Sequence, residues 1–208
     1  MELPAIVQAG DPVLRSAARL VRDEELGSAE LRAQLGSAEL RALVDTMVAV
    51  MRVAPGVGLA APQIGVGLQV FVAEDDDARM ARLRDDERIA RGRISLPLVA
   101  IVNPVLEIVS EEPAVFFEGC LSVKGWAALV PRARVVEVRG VDPEGRPIAV
   151  RAEGWPARIF QHEIDHLRGT LYVDKMISRS FCTSDQLQGR WAGRSVDEIA
   201  RALGLTLP

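Results

Sequence analysis

The period of the apolar positions marks out the elements of the chain. Leu40, Leu43, Val44, Met47, Val48 and Met51 form one stripe at helical spacing, which predicts a core-facing helix over 39–52. APGVGLAAPQIGVG, 54–67, is glycine-rich and hairpin-like, and the LQVFVAE that follows reads as a strand. LVAIVNP, 98–104, predicts a buried strand that Asn103-Pro104 stops. ARVVEVRG and PIAVRAE alternate as strands do, and DPEGR between them supplies a turn. GWPARIFQHEIDHLRG predicts a helix with Pro156 in its first turn and Gly169 just past its end. SVDEIARALGL, 195–205, reads as a short amphipathic helix. Two stretches fit no core element. LGSAELRA occurs at 26–33 and again at 35–42, a local duplication that lengthens a surface segment. The run 74–93 mixes both signs of charge and reads as a solvated loop or short helix.

Composition narrows the class. A chain of 208 residues suits one domain, and 49% hydrophobic content with only 4% aromatic predicts an aliphatic core. A net charge of −4 argues against a general grip on nucleic acid, which needs a basic face. The start lacks a basic segment followed by an apolar run, so no signal peptide is expected. LVAIV, 98–102, is the longest obvious apolar run and far too short to span a membrane. Two cysteines, Cys120 and Cys182, make no disulfide framework. These features together suit a soluble, reducing, cytoplasmic setting.

The chemistry concentrates in QHEIDHLRG, 161–169. The chain's two histidines, His162 and His166, both sit there, with Glu163 between them. Positions i and i+4 on a helix lie roughly 5–6 Å apart at Cβ on one face, so two imidazoles can converge on one ion. Trp155, Ile159, His162 and His166 follow spacings of four, three and four, so this face continues an apolar one. Glu163 is rotated off it, placed to reach a water rather than the ion. A catalytic site usually takes three protein ligands. Tyr172 stands where a metzincin peptidase would carry its third histidine. Asp174, Asp185, Asp197 and Glu198 are the downstream acids that a thermolysin-like site would draw on. Upstream, Cys120 in EGCLS is a soft donor beside Gly119, whereas Cys182 reads as inert packing.

GVGLAAPQ at 56–63, EGCLS at 118–122 and QHEIDHLRG at 161–169 stand in the order and spacing of peptide deformylases, and the chain resembles that family. QAGDPVLR, VNP, LVPR and LYVDKM extend the likeness over about residues 5 to 180, and EGWPARIFQHE resembles its organellar-type branch. The resemblance implies a metal-dependent hydrolase that removes the formyl group from N-formylmethionine of newly made polypeptides and releases formate. It implies one divalent ion on Cys120, His162 and His166. Iron(II) is the usual ion of the family, and zinc suits the same donors. Glu163 becomes the general base, with the Gln63 side chain and the Leu121 backbone N–H as oxyanion donors. Val57 and Gly58 pair with the substrate chain. Trp155, Arg158 and Ile159 wall or rim the methionine pocket, and Glu118 with Arg132 brace the cysteine loop. The implied partners are formylmethionyl nascent peptides. A transient ribosome contact and a monomeric or homodimeric state both fit, and no specific nucleic-acid or membrane binding is expected.

The expected fold is α+β, with small mixed or antiparallel sheets around a central H-E-x-x-H helix. Residues 1–180 form the catalytic domain, holding the 26–42 duplication and the 74–93 insertion. Residues 181–208 form a C-terminal extension. The rival readings are a zinc endopeptidase with a downstream acid as third ligand and a non-catalytic metal-binding homologue. One departure from the family pattern stands out. Lys124-Gly125-Trp126-Ala127 replaces a common Pro and Arg, which puts an arginine contact to the substrate backbone in doubt and gives Trp126 a place at the cleft mouth.

Overall fold

The computed structural model describes residues 2–22, 25–26, 38–81, 85–110 and 112–208. Most of the 26–42 duplication lies outside the described residues. In chain order the elements are α1 (Ala38–Val53), β1 (Gly58–Ala60), β2 (Val70–Asp75), α2 (Asp77–Met80), α3 (Asp85–Ala90), β3 (Leu96–Ile108), β4 (Pro113–Cys120), β5 (Val123–Ala133), β6 (Val135–Val141), β7 (Pro147–Glu153), α4 (Trp155–Leu167), β8 (Cys182–Thr183), α5 (Ser184–Gln186) and α6 (Val196–Leu203). They build a five-stranded sheet, β1-β2-β3-β6-β7, and a three-stranded sheet, β4-β5-β8. Every strand pairing in both is antiparallel.

The near-continuous apolar run of β2 has a simple cause. Phe71 and Ala73 pack toward α4, whose Ile159, Phe160 and Ile164 join the same buried cluster. Val70 and Val72 pack toward the Met47 and Met51 stripe of α1. A strand covered on both faces loses the polar half of its alternation. Helix α4 contacts strands of both sheets. Trp155, His162 and the residues past its last turn aside, nearly every side chain on it is buried.

Two elements differ from the sequence reading. Strand β3 does not stop at Asn103-Pro104 but continues to Ile108, with the register against β6 shifting between Val102 and Val105. Asn103 makes this work. Its φ is 52°, and its side-chain amide both accepts from the Val21 N–H (2.9 Å) and donates to the Val21 carbonyl (2.8 Å). The strand bends there instead of ending, as an irregularity in the ladder allows. The 74–93 segment forms α2 and α3, and it is not merely solvated. Arg93 holds the fully buried Asp75 through two hydrogen bonds (2.7 and 3.0 Å), and the Gly92 carbonyl accepts from the Trp155 N–H at the start of α4.

The hairpin β4–β5 turns at Leu121-Ser122. Cys120 pairs with Val123, but Gly119 already pairs with Ala127. Lys124, Gly125 and Trp126 are therefore extra residues bulged out of the ladder, with Gly125 at φ 85°. Strand β8 then pairs with β5 at Trp126 and Ala127.

Candidate metal centre and substrate cleft

Two elements deliver the three predicted ligands to one point. Cys120 comes from the end of β4, and His162 and His166 from one face of α4. The ligand atoms of the three lie within 4.8 Å of one another. Cys120 Sγ is 3.3 Å from His166 Nε2. Two soft-to-borderline donor types in this arrangement fit a single divalent transition ion with a coordination position left over. Among the described residues no other group of this kind forms. Asp174 pairs with Arg15 and accepts the Leu171 N–H, and Glu198 caps the start of α6. Tyr172 is buried with its ring centroid 6.4 Å from that of His162, as packing and not as a ligand. No downstream acid joins the histidines, which removes the basis of the endopeptidase reading.

Behind the ligands lies a buried ionic cluster. Glu118 Oε2 bonds His162 Nδ1 at 2.9 Å, leaving Nε2 for an ion, the carboxylate–histidine arrangement that fixes tautomer and ring. Arg132 forks onto the same carboxylate at 2.9 and 2.8 Å and also pairs with Asp165. Asp165 in turn takes Lys175 at 2.6 Å. Burial pushes the Glu118 carboxyl up, but the bonds from Arg132 and His162 outweigh it and hold the group well below the usual carboxylate range. Arg158 also lands here. It donates to Glu118 (2.6 Å) and to the carbonyls of Val130 and Ala114, while burial lowers its pKa to about 10. It lines the cleft, yet its guanidinium is tied up as a brace.

In front of the Cys120, His162 and His166 group lie Glu163 and Gln63. Glu163 is buried, and its Oε2 has no hydrogen-bond partner. Burial raises its carboxyl to about 7. A dication next to it opposes that shift and favours the carboxylate. Gln63 is 2% exposed. Its Oε1 accepts the Ala60 N–H (2.9 Å), which fixes the amide so that Nε2 faces Ser122 Oγ (3.3 Å) and Cys120 Sγ (3.6 Å). The N-terminal segment ties this loop down: the Val7 N–H donates to the Gln63 carbonyl, the Ala9 N–H to Ser122, and the Gln8 side chain to Leu121.

A cleft of about 740 Å³ opens over these groups. Val57, Gly58, Gln63, Cys120, Leu121, Trp155, Arg158, Ile159, His162 and Glu163 all line it, whereas His166 lies beneath. Strand β1 is the edge of its sheet, so its outer side faces no other strand. The Val57 carbonyl already accepts the Glu74 N–H within the sheet. Arg91 and Arg93 lie over the Trp155 ring, each 5.2 Å from its centroid, so the 74–93 segment walls one side. The residues that sequence reasoning passed over are Ser122, Asp165 and Lys175. All three lie inside quoted stretches, and for the first two a polar residue near a predicted ligand is the only signal.

The chain matches the polypeptide deformylase family over residues 3–181. It is 49% identical over 187 residues to peptide deformylase 1A, chloroplastic/mitochondrial, of Arabidopsis thaliana, covering 90% of this chain and 66% of that protein, a little under two thirds. It is 43% identical over 203 residues to peptide deformylase 3 of Streptomyces avermitilis, covering 98% of this chain and 84% of that one. The Met-Ala-Ser-bound crystal structure of a class I type b peptide deformylase from Acinetobacter baumannii superposes with a TM-score of 0.69 at 30% identity, covering 84% of this chain and 100% of that chain.

Proposed function

The chain belongs to the polypeptide deformylase family, and we propose that it hydrolyses the N-terminal formyl group of newly made polypeptides that begin with formylmethionine. The observation that carries this reading is the meeting of Cys120, His162 and His166 beside a buried carboxylate oxygen, Glu163 Oε2, that nothing else occupies. Iron(II) is our reading of the ion, and the mixed thiolate and imidazole set suits zinc as well. When bound there, the ion supplies a Lewis acid and a water acidic enough to give hydroxide near neutral pH.

The chain's own residues do the rest. Glu163 takes the proton of the attacking water and returns it to the departing nitrogen. The C–O bond forms, the formyl C–N bond breaks, and formate and a free methionine amine leave. Gln63 is held by Ala60 with its amide donors toward the cysteine, where the formyl oxygen gains charge. The Leu121 backbone N–H, next to Cys120, is the second donor. The open edge of β1 at Val57 and Gly58 takes the substrate as an added strand. Trp155 and Ile159 wall the methionine side chain, with Arg158 bracing the wall from behind through Glu118. Residues 1–180 then constitute the catalytic unit.

No described helix is long and apolar enough to cross a membrane. We read the protein as cytoplasmic, a monomer or homodimer that meets nascent chains through at most a transient ribosome contact. The test is formate release from formyl-Met-Ala-Ser by anaerobically metallated protein. Formate from that peptide, with the peptide bonds of its unformylated and N-acetylated versions left uncut, supports the reading. Internal peptide cleavage without formate overturns it.

A further inference from the structure

Lys124-Gly125-Trp126, the extra residues of the β4–β5 hairpin, are directed into the cleft, which they line together with Ser184 and Leu187. The family match ends at residue 181, so Ser184 and Leu187 belong to a segment that the match does not cover. Strand β8 fastens that segment to the bulge, with Thr183 paired to Trp126 and Cys182 to Ala127. Just before it, Phe181 stacks on Trp126 with ring centroids 4.7 Å apart and planes 8° from parallel. Both rings stay solvent-exposed, Trp126 at 42% and Phe181 at 39%. Leu187 is anchored beneath by packing against the cluster of Phe117, Leu129 and Trp191.

Two stacked aromatics left in water beside a cleft are an unspent apolar surface. Rigid rings bind at small cost in conformational entropy, which is why such residues anchor peptides. We propose that Trp126, with Phe181 and Leu187, forms a platform for the apolar downstream residues of the formylated peptide, from about its third residue outward. This rests on the deformylase reading and deepens it. The occupant follows from continuity. Gly119 sits next to Cys120, and a Cβ there would lie 3.5 Å from the Trp126 carbonyl, so the platform begins one strand away from the ligand loop. Neighbouring strands are about 4.8 Å apart and an extended chain advances about 3.3 Å per residue, so the first residue or two of a bound peptide stay short of the rings.

The experiment compares kcat/KM for formyl-Met-Ala and formyl-Met-Ala-Leu-Phe, using full-length metallated protein. Wild type should favour the longer peptide by roughly tenfold, the scale of one well-packed aromatic contact. Trp126→Ala should bring the ratio of long to short close to one, mainly through KM of the long peptide, and Trp126→Phe should restore most of it. Leu187→Ser provides a second variant whose ratio should fall in the same sense. A wild-type ratio near one, or equal losses on both peptides in Trp126→Ala, overturns the platform while leaving the deformylase reading intact. Absence of formate from both peptides overturns both.

Discussion

Gly58 lies so close to Glu163 that a side chain has no room between them. A Cβ at residue 58 would lie 2.7 Å from the carboxyl carbon of Glu163 and closer still to Oε1. The φ of Gly58 is not positive, so backbone freedom is not what the position needs. What it needs is the empty volume that lets edge strand β1 pass over the carboxylate. Gly58→Ala should therefore displace Glu163 and reduce formate release by roughly 10²-fold or more, the usual worth of a general base. Metal content by atomic absorption should stay stoichiometric. Near-normal turnover would mean that the carboxylate is not needed in this position.

Glu163→Gln separates holding from chemistry. Glu163 is not among the converging ligands, so the variant should keep its ion and lose roughly 10²–10⁴ in kcat. Single-turnover kinetics with metal quantified in the same sample is the check. Loss of the ion would recast Glu163 as a ligand.

Cys120→Ala leaves two imidazoles from one helix, and tight stoichiometric metal binding should disappear. Cys182 lies outside the converging group, with burial raising its thiol, so Cys182→Ala should retain the ion. Competition with a chromophoric chelator distinguishes the two. Equal retention by both variants would return the search to an acidic third ligand.

Much of this centre could be read from residue order because helical geometry alone brings His162 and His166 together and turns Glu163 aside. Cys120 was a different matter. Nothing local ties residue 120 to residue 166: the residues offer Cys120 only as a soft donor beside Gly119, the family resemblance makes it a ligand, and the bulged β4–β5 hairpin places it against the helix. Amphipathic stripes mark α1 and α6 because each buries one face against a sheet or cluster, whereas α4, buried nearly all round, is legible from Pro156 at its start and Gly169 past its end. The β4–β5 pairing is not legible in the alternation, since Glu118 and Arg132 are polar residues whose burial depends on each other and on Arg158, His162 and Asp165. Asn103-Pro104 misled for a similar reason. The partner that lets a strand pass through an Asn-Pro step is Val21, far away in sequence.

Glu118→Gln tests the ionic cluster. It strips a countercharge from Arg132 and Arg158 together, and breaking a buried pair of this kind typically costs about 3–5 kcal/mol. Loss of the carboxylate behind His162 should also weaken metal affinity by roughly 10–100-fold. The pH sign follows from the depressed carboxyl. Its contribution is present above the ordinary carboxylate value of 4.5 and fades as the pH falls below it toward the folded value. Wild type should thus lose thermal stability steeply on acidification below that range, and Glu118→Gln should show a shallower slope from a lower starting point. Parallel slopes would show that other carboxylates govern acid unfolding.

The last expectation concerns the charged 74–93 segment. Asp75 is fully buried, and Arg93 is the partner that neutralises it, through two hydrogen bonds. Arg93→Gln leaves that carboxylate in a poor medium for charge and should destabilise the fold by about 3–5 kcal/mol. Adding Asp75→Asn removes the stranded charge, so the double variant should recover most of the loss, a coupling that a surface pair would not show. The same pair anchors the segment whose Arg91 and Arg93 flank Trp155 and whose Gly92 carbonyl accepts the Trp155 N–H. Trp155 walls the cleft, so the stable double variant should still differ from wild type in KM for formylmethionyl peptides, with kcat changed little because Glu163 and Gln63 are untouched. Urea melts of the four proteins of the cycle, with KM on the same preparations, separate the two effects. A double variant that melts no later than Arg93→Gln would show that the pair is not what holds the segment down.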